Sequence, residues 1–210
     1  MHLEVLVEDE STEKALERVI PRILPACPRP AIHPFQGKHD LLRKLPARLR
    51  AYARWLPADS RIVVLIDEDR QNCHQLKAQL EQAARQAGLT TRSSAGEGQQ
   101  FQVLTRIAIE ELEAWFFGDI AALRAAYPRV PAALDRNQPY RDPDAIAGGT
   151  WEALQRVLQR AHYFPGGIPK IEVAREISRH MDPAVNRSHS FQVFRQGLLE
   201  LAALGATDTT

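Results

Sequence analysis

The sequence predicts an α/β fold: a mainly parallel sheet flanked by helices, with a C-terminal helical extension. Three observations carry this. Short apolar runs alternate with helix-periodic segments through roughly the first 117 residues. The run Ile62-Val63-Val64-Leu65-Ile66 is apolar at every position, as a strand covered by helices on both faces must be. Beyond about residue 120 the strand-like runs stop and amphipathic helical segments continue. The expected units are therefore residues 1–120, an α/β domain, and 121–210, helices packed on it.

Each element has its own signal. Leu3, Val5 and Val7 alternate, so residues 3–8 read as a strand. Ser11 can cap a helix in which Leu16, Val19, Ile20, Ile23 and Leu24 recur at helical spacing, and Pro21 should kink or restart it. Residues 31–35 form a short strand that Pro34 confines to an edge. Leu41, Leu42, Leu45, Leu49, Tyr52 and Leu56 mark a second helix from Asp40, with Pro46 expected at a helix start. Residues 61–66 give the clearest strand. Leu76, Leu80, Ala83 and Ala84 make a third helix that Gly88 ends. Ser93 to Gly98 is a loop, residues 101–109 return to a strand, and Leu112, Trp115 and Phe116 open a helix. Residues 128–149, rich in Pro, Asp, Arg and Gly, read as a loop. Residues 151–162, 171–181 and 191–204 read as helices.

Composition bounds the function. Hydrophobic residues make up 44% and charged residues 25% of 210, ordinary for a globular protein. No apolar run is long enough to span a membrane. The start MHLEVLVEDE lacks the basic and apolar parts of a signal peptide, so a cytoplasmic protein is expected. Cys27 and Cys73 make neither a disulfide framework nor a metal-ligand spacing. With 27 basic against 26 acidic residues, the net charge of +1 gives no strong overall field for nucleic acid, and any basic surface must be local.

The acids are the informative feature. In open α/β sheets, ligands bind beyond the carboxyl ends of the strands. The first strand ends at Glu8. The central strand ends at Asp67, with Asp69 two residues on. Glu110, Glu111 and Glu113 follow the strand near 101–109. Three strands thus deliver carboxylates to one sheet edge, where they repel one another unless protons or a cation intervene. An all-oxygen donor set suits Mg²⁺ or Mn²⁺ better than zinc. Such an ion suits phosphodiester chemistry. On a helix Glu111 and Glu113 lie two steps apart, about 200° of rotation, so at most one is expected as a direct ligand unless the helix begins after Glu111. Asp9 and Glu10 read as helix-capping or solvated acids.

Four ordered blocks carry a family resemblance. LVEDESTE at 6–13 and VVLIDEDRQNC at 63–73 resemble the Toprim pattern, a Glu after the first strand and Asp-x-Asp after a later one. Toprim domains occur in topoisomerases, bacterial primases, recombination mediators and the overcoming-lysogenization-defect nucleases. IAIEELEAWFFGD at 107–119 and PKIEVAREISRHMDPAVNRSHSFQVF at 169–194 resemble an uncharacterised Toprim-like bacterial family whose members are often encoded beside ATPases in defence loci. The resemblance implies a metal-dependent nuclease acting on DNA or RNA, with an ATPase partner. It implies Glu8 as metal ligand or general base, Asp67 and Asp69 as holders of Mg²⁺ (or Mn²⁺), and Glu111 or Glu113 as a further acid. It matches Lys170 to a recurring lysine that could steady the scissile phosphate. Many relatives carry Gly where this chain has Asp9.

Other residues admit plainer readings. Lys170 also reads as a solvated lysine at a helix start. Phe191 reads as core and Ser190 as a helix cap. His162, His180 and His189 read as surface or packing residues, and Trp115 and Phe116 as core. Residues 38–54 hold Lys38, Arg43, Lys44, Arg48, Arg50 and Arg54 against Asp40, with the bases expected on the outer face. That is a phosphate track or simply a solvated face. The loop AGEG at 95–98 lacks the lysine and spacing of a phosphate-binding loop. Two alternative functions stay open: a receiver-like domain phosphorylated on Asp67, which needs a strand-borne lysine that no residue between Lys77 and Lys170 supplies, and a non-catalytic interaction subunit.

Overall fold

The computed structural model describes every residue except 58, 70, 97 and 207–210. Arg70 of the acid-rich stretch and Glu97 of the AGEG loop therefore lie outside the described residues.

Among the described residues the fold is α/β, with four parallel strands in the order β2-β1-β3-β4. These are β1 (His2–Val7), β2 (Ala31–Pro34), β3 (Ser60–Asp67) and β4 (Val103–Ala108). All eight residues of β3 are buried, as its unbroken apolar run requires. Between the strands run α1 (Glu10–Ile23), α2 (Lys38–Trp55) and α3 (Cys73–Gln86). Then follow α4 (Glu113–Gly118), α5 (Ile120–Ala126), three short 3-10 turns between Leu134 and Ala145, α6 (Thr150–Arg160), α7 (Lys170–Ser178) and α8 (His189–Ala206).

Alternation in the strands divides the apolar side chains between two layers. Leu3, Val5, Val7, Val63 and Leu65 join α1 and the later helices in the larger core. Leu6, Ile62, Val64 and Ile66 pack under α2 and α3. Chain order reverses between β1 and β3: β1 leads out to β2, and the chain returns past β1 to β3. At such a switch point the end loops of two neighbouring strands open a crevice.

Pro46 differs from expectation, and Pro21 does not restart its helix. Pro21 lies within a continuous α1 and Pro46 mid-way along α2. Each removes one backbone hydrogen bond, at a cost of about 3 kcal/mol. Burial of Leu41, Leu45, Leu49 and Tyr52 on the sheet outweighs it in α2, at roughly 1.5–3 kcal/mol per large side chain. The cap of α1 is Asp9, which accepts from the Thr12 N–H at 2.8 Å; Ser11 lies inside the helix and donates its hydroxyl to Asp9. Helix α5 was not expected because it is only seven residues long, and the 3-10 turns were not expected because they lie in a segment rich in Pro, Asp, Arg and Gly. No helix among the described residues is long and apolar enough to cross a membrane.

Candidate metal centre

Parallel strands place every carboxyl-end loop on one edge, and here all four loops contribute a charged group. The loop after β1 supplies Glu8 and Asp9, and that after β3 supplies Asp67 and Asp69. The loop after β4 leads to Glu113. The loop after β2 supplies Lys38.

Glu8 and Asp67 meet directly across the switch point. Glu8 Oε1 accepts the Asp67 backbone N–H at 2.7 Å. Both side chains are 8% exposed. Burial pushes Glu8 up to about 7, helped by repulsion from Asp69 and Asp9 and opposed by the Asp67 N–H and Lys38. Burial likewise raises Asp67 well above the ordinary carboxyl range, with repulsion from Glu8 and Glu113 next.

Glu113 opens α4 and is completely buried. Neither of its carboxylate oxygens receives a hydrogen bond. Burial pushes it up to about 7, against the pull of Lys170 at 3.7 Å. Its neighbour Glu111 turns elsewhere: it accepts from the Trp151 N–H at 2.8 Å and the Thr150 hydroxyl at 3.0 Å, satisfying the start of α6. The helix begins at Glu113, after Glu111, so the two acids part because Glu111 lies in the preceding turn and not through helical rotation, and Glu113 is the one whose charge bears on Asp67.

Lys170 is the first residue of α7, with Nζ 3.5 Å from Asp9 and its charge over the Trp151 ring. A cation at a helix start works against the macrodipole. Burial disfavours the charge too, yet Glu113, Asp9 and Asp67 together raise the Lys170 pKa. Asp9 is also raised by burial, but the Thr12 N–H and Lys170 bring it below its ordinary value.

Lys38 corrects the expectation that the bases of residues 38–54 all face outward. Its side chain is 10% exposed, with Nζ 2.9 Å from Asp69 Oδ2 and 3.0 Å from the Glu68 carbonyl. Gly37 sets this up. Its N–H donates to the Glu8 carbonyl at 2.8 Å, and its φ of 88° is one that an L side chain resists. Arg43 and Lys44 instead pair with Asp40.

Asp69 and Glu110 are both in the left-handed region, at φ 48° and 59°. The Asp69 N–H donates to the Glu110 carbonyl at 2.9 Å, tying the β3 and β4 loops together. Two such non-glycine residues cost about 1 kcal/mol or more each, and strain of this kind gathers at functional sites.

Among the described residues, no three His, Cys, Asp or Glu side chains stand at the mutual spacing of a formed metal site. The acids are near enough to repel, and Lys38 and Lys170 pair with members of the group. The donor chemistry nonetheless fits a hard divalent cation. It is all carboxylate, and one member is fully buried with both oxygens unsatisfied.

The tail motif resolves into a fastening. Asn186 Nδ2 donates to the Trp115 carbonyl at 2.8 Å, and Trp115 Nε1 donates to Ser190 Oγ at 3.0 Å. Ser188 rather than Ser190 accepts at the start of α8, from the Phe191 N–H, while Asp144 holds both serine hydroxyls. Trp115 and Phe191 are core, as expected. The motif clamps α8 to α4, the helix that carries Glu113.

Lys38 was missed as a site residue. Its place at the first position of α2, where a lysine is disfavoured, emerges only from the structure, because the apolar spacing starts that helix at Asp40. The sheet ends at β4, which carries no lysine, so Lys170 comes from a helix and not from the strand a receiver domain would use.

No curated protein matches this chain. Among solved structures, the C-terminal region of the Xanthomonas campestris pv. campestris OLD protein is similar at a TM-score of 0.47 and 14% identity, over 98% of this chain and 97% of that one. Residues 7–199 match the family described as "Domain of unknown function (DUF4276)". With the match running from the end of β1 into α8, the chain belongs to the DUF4276 family.

Proposed function

We propose that this chain is a Mg²⁺- or Mn²⁺-dependent phosphodiesterase that hydrolyses DNA or RNA. Glu8, Asp67, Asp69 and Glu113 would hold the ion. The observation that carries the reading is Glu113, buried with both carboxylate oxygens lacking a hydrogen bond and close enough to Asp67 for their charges to repel. A protein that uses such a group only for structure would supply a donor, because an unsatisfied buried polar group costs about 1–3 kcal/mol. The resemblance of the acid-bearing segments to Toprim sequences supports the reaction class.

When bound, the ion would supply Lewis acidity and neutralise charge on the phosphate. The chain's own groups would do the rest. Glu8 is held through Oε1 by the Asp67 N–H, which leaves Oε2 to bind or to take a proton from the attacking water. A group titrating near 7 suits that proton transfer. Lys170 stays charged and would pair with a phosphate oxygen. Glu111 would support α6 rather than bind the ion. An ATPase partner, which the same resemblance implies, would control access.

The test is a panel of duplex DNA, single-stranded DNA and RNA incubated with Mg²⁺ or Mn²⁺, comparing wild type with Asp67→Ala. Cleavage that needs the ion and disappears in the variant supports the proposal. Wild type that binds Mn²⁺ but cuts none of these sinks the catalytic part and leaves a metal-binding subunit.

A further inference from the structure

Lys38 is out of place by three criteria. It is the first residue of α2, where the helix dipole disfavours a cation. Its side chain is 10% exposed, although lysines almost always keep their ammonium in water. It also stands apart from the other bases of its own helix, of which Arg43 and Lys44 are exposed and pair with Asp40. Its ammonium instead reaches the carboxyl edge of the sheet, 2.9 Å from Asp69 Oδ2 and 3.0 Å from the Glu68 carbonyl. The Gly37 turn, hydrogen-bonded to the Glu8 carbonyl, fixes that direction.

We infer that Lys38 is a tethered counter-ion for Asp69, and that a divalent cation must displace it from that carboxylate to bind. The inference rests on the metal-site reading above. Its basis is a competition for one oxygen. A carboxylate oxygen at salt-bridge distance from an ammonium cannot also present that lone pair to a metal at roughly 2.0–2.1 Å without the ammonium moving. Asp69 is the member best placed for exchange. It is the most exposed of the acids, with a side chain 44% accessible, and it sits on a strained left-handed residue. Lys170 stands differently: its ion pairs are with Asp9 and Glu113, not with Asp69. The two lysines therefore divide the acids. One holds the buried side, and the other guards the exposed oxygen through which an ion would enter.

The competition has a sign that a merely supporting role lacks. Were Lys38 only to order the Asp69 loop, its removal would loosen the site and weaken metal binding. As a competitor, its removal tightens binding. The experiment measures Mn²⁺ affinity by titration calorimetry for wild type, Lys38→Met and Lys44→Met. Lys44 controls for loss of a positive charge from the same helix without contact to Asp69. The expected result is tightening of about tenfold for Lys38→Met and less than about twofold for Lys44→Met. Unchanged or weaker binding in Lys38→Met overturns the inference while the metal site stands. Absence of Mn²⁺ binding in wild type overturns the metal reading itself, and the inference with it. A second measurement on the wild type does not depend on a variant folding: the Lys38 side-chain NMR signal, followed during a Mg²⁺ titration. It should move as the ammonium leaves Asp69, with Lys44 static. A static Lys38 signal at saturating Mg²⁺ also overturns the inference.

Discussion

The backbone N–H of Asp67 donates to Glu8 Oε1 at 2.7 Å, so acids 59 residues apart in sequence form one electrostatic unit across the switch point of the sheet. The bond needs β1 and β3 to be parallel and adjacent, in the register that pairs Val7 with Leu65. It fixes one Glu8 oxygen and leaves two buried carboxyl groups sharing little compensating charge.

That arrangement makes stability depend on pH in a defined window. Glu8 and Glu113 are both pushed up to about 7 from an ordinary value of 4.5, chiefly by burial. Between these values the folded chain keeps protons that the unfolded chain has released, so stability falls as pH rises. Below pH 4.5 this contribution is fully present, and above about 7 it is gone. Glu4 and Glu81 lie below their ordinary values, so the stability they contribute is lost only on acidification below that window. With chelator present, the melting temperature should therefore decline from pH 4.5 to 7, and Asp67, also raised by burial, adds to the decline. Mn²⁺ should raise it more at pH 7.5 than at pH 5, because metal and protons compete. Melts in both conditions check this, and a Mn²⁺ effect independent of pH would contradict it.

Asp67→Asn should stabilise the chelated protein. The substitution keeps shape but removes one charge from a cluster in which burial, Glu8, Glu113 and Asp69 all oppose ionisation. At pH 8 the gain is expected at about 1–2 kcal/mol by urea denaturation. Mn²⁺ binding should be lost in the same protein. A stability gain coupled to loss of binding is the signature of a site kept strained for function. Destabilisation would mean that the Asp67 charge has a compensating role in the fold.

The acids were legible in the sequence because a parallel sheet delivers its loop residues to one edge whatever else the chain does. The apolar run of β3 and the edge position of Pro34 followed from the same logic. Which way Glu111 and Glu113 point was legible only as an either-or, since it depends on where α6 begins to need a hydrogen-bond acceptor. Lys38 looked like one base among six because its role is set by the Gly37 turn, a backbone conformation with no periodic signal. Pro46 misled for the opposite reason: its local effect is predictable, but burial of four large side chains overrides it. Helix α5 has only seven residues, too few for an apolar period to stand out.

Lys170→Met tests the buried side of the cluster. It leaves Glu113 without its nearest cation. Breaking a buried pair costs about 3–5 kcal/mol, but the Lys170 side chain is 35% exposed, so screening reduces the expected loss to about 1–3 kcal/mol at pH 8. The loss should shrink at pH 5, where Glu113 holds a proton and needs no cation. Denaturation at both pH values reads the difference. Equal losses would show that Lys170 does not act through Glu113 but through Asp9, which stays ionised at both pH values, or through packing on Trp151, whose ring lies 5.6 Å from its ammonium.

Gly118→Ala tests whether the tail motif holds Glu113 in place. A Cβ at position 118 would lie 2.1 Å from Asn186 Oδ1 and 2.9 Å from the Ser188 backbone nitrogen. The first obstacle is a side chain, but not a free one. Asn186 donates to the Trp115 carbonyl and accepts the Ser188 N–H at 2.9 Å, so yielding breaks two buried hydrogen bonds. The second obstacle is backbone and cannot swing away. Overpacking of this kind typically costs about 1–3 kcal/mol, and here it should reach the upper part of that range. Asn186→Ala alone leaves the Trp115 carbonyl without its donor and should cost about 1–3 kcal/mol. The double variant removes the worst clash along with the bonds, so its loss should be smaller than the sum of the singles, with Ser188 keeping it from vanishing. Because α4 carries Glu113 at its first residue, Gly118→Ala should also weaken Mn²⁺ binding although it lies a full helix length from the acids. Additive stability losses with unchanged Mn²⁺ affinity would show that α8 is fastened to α4 without any bearing on the site.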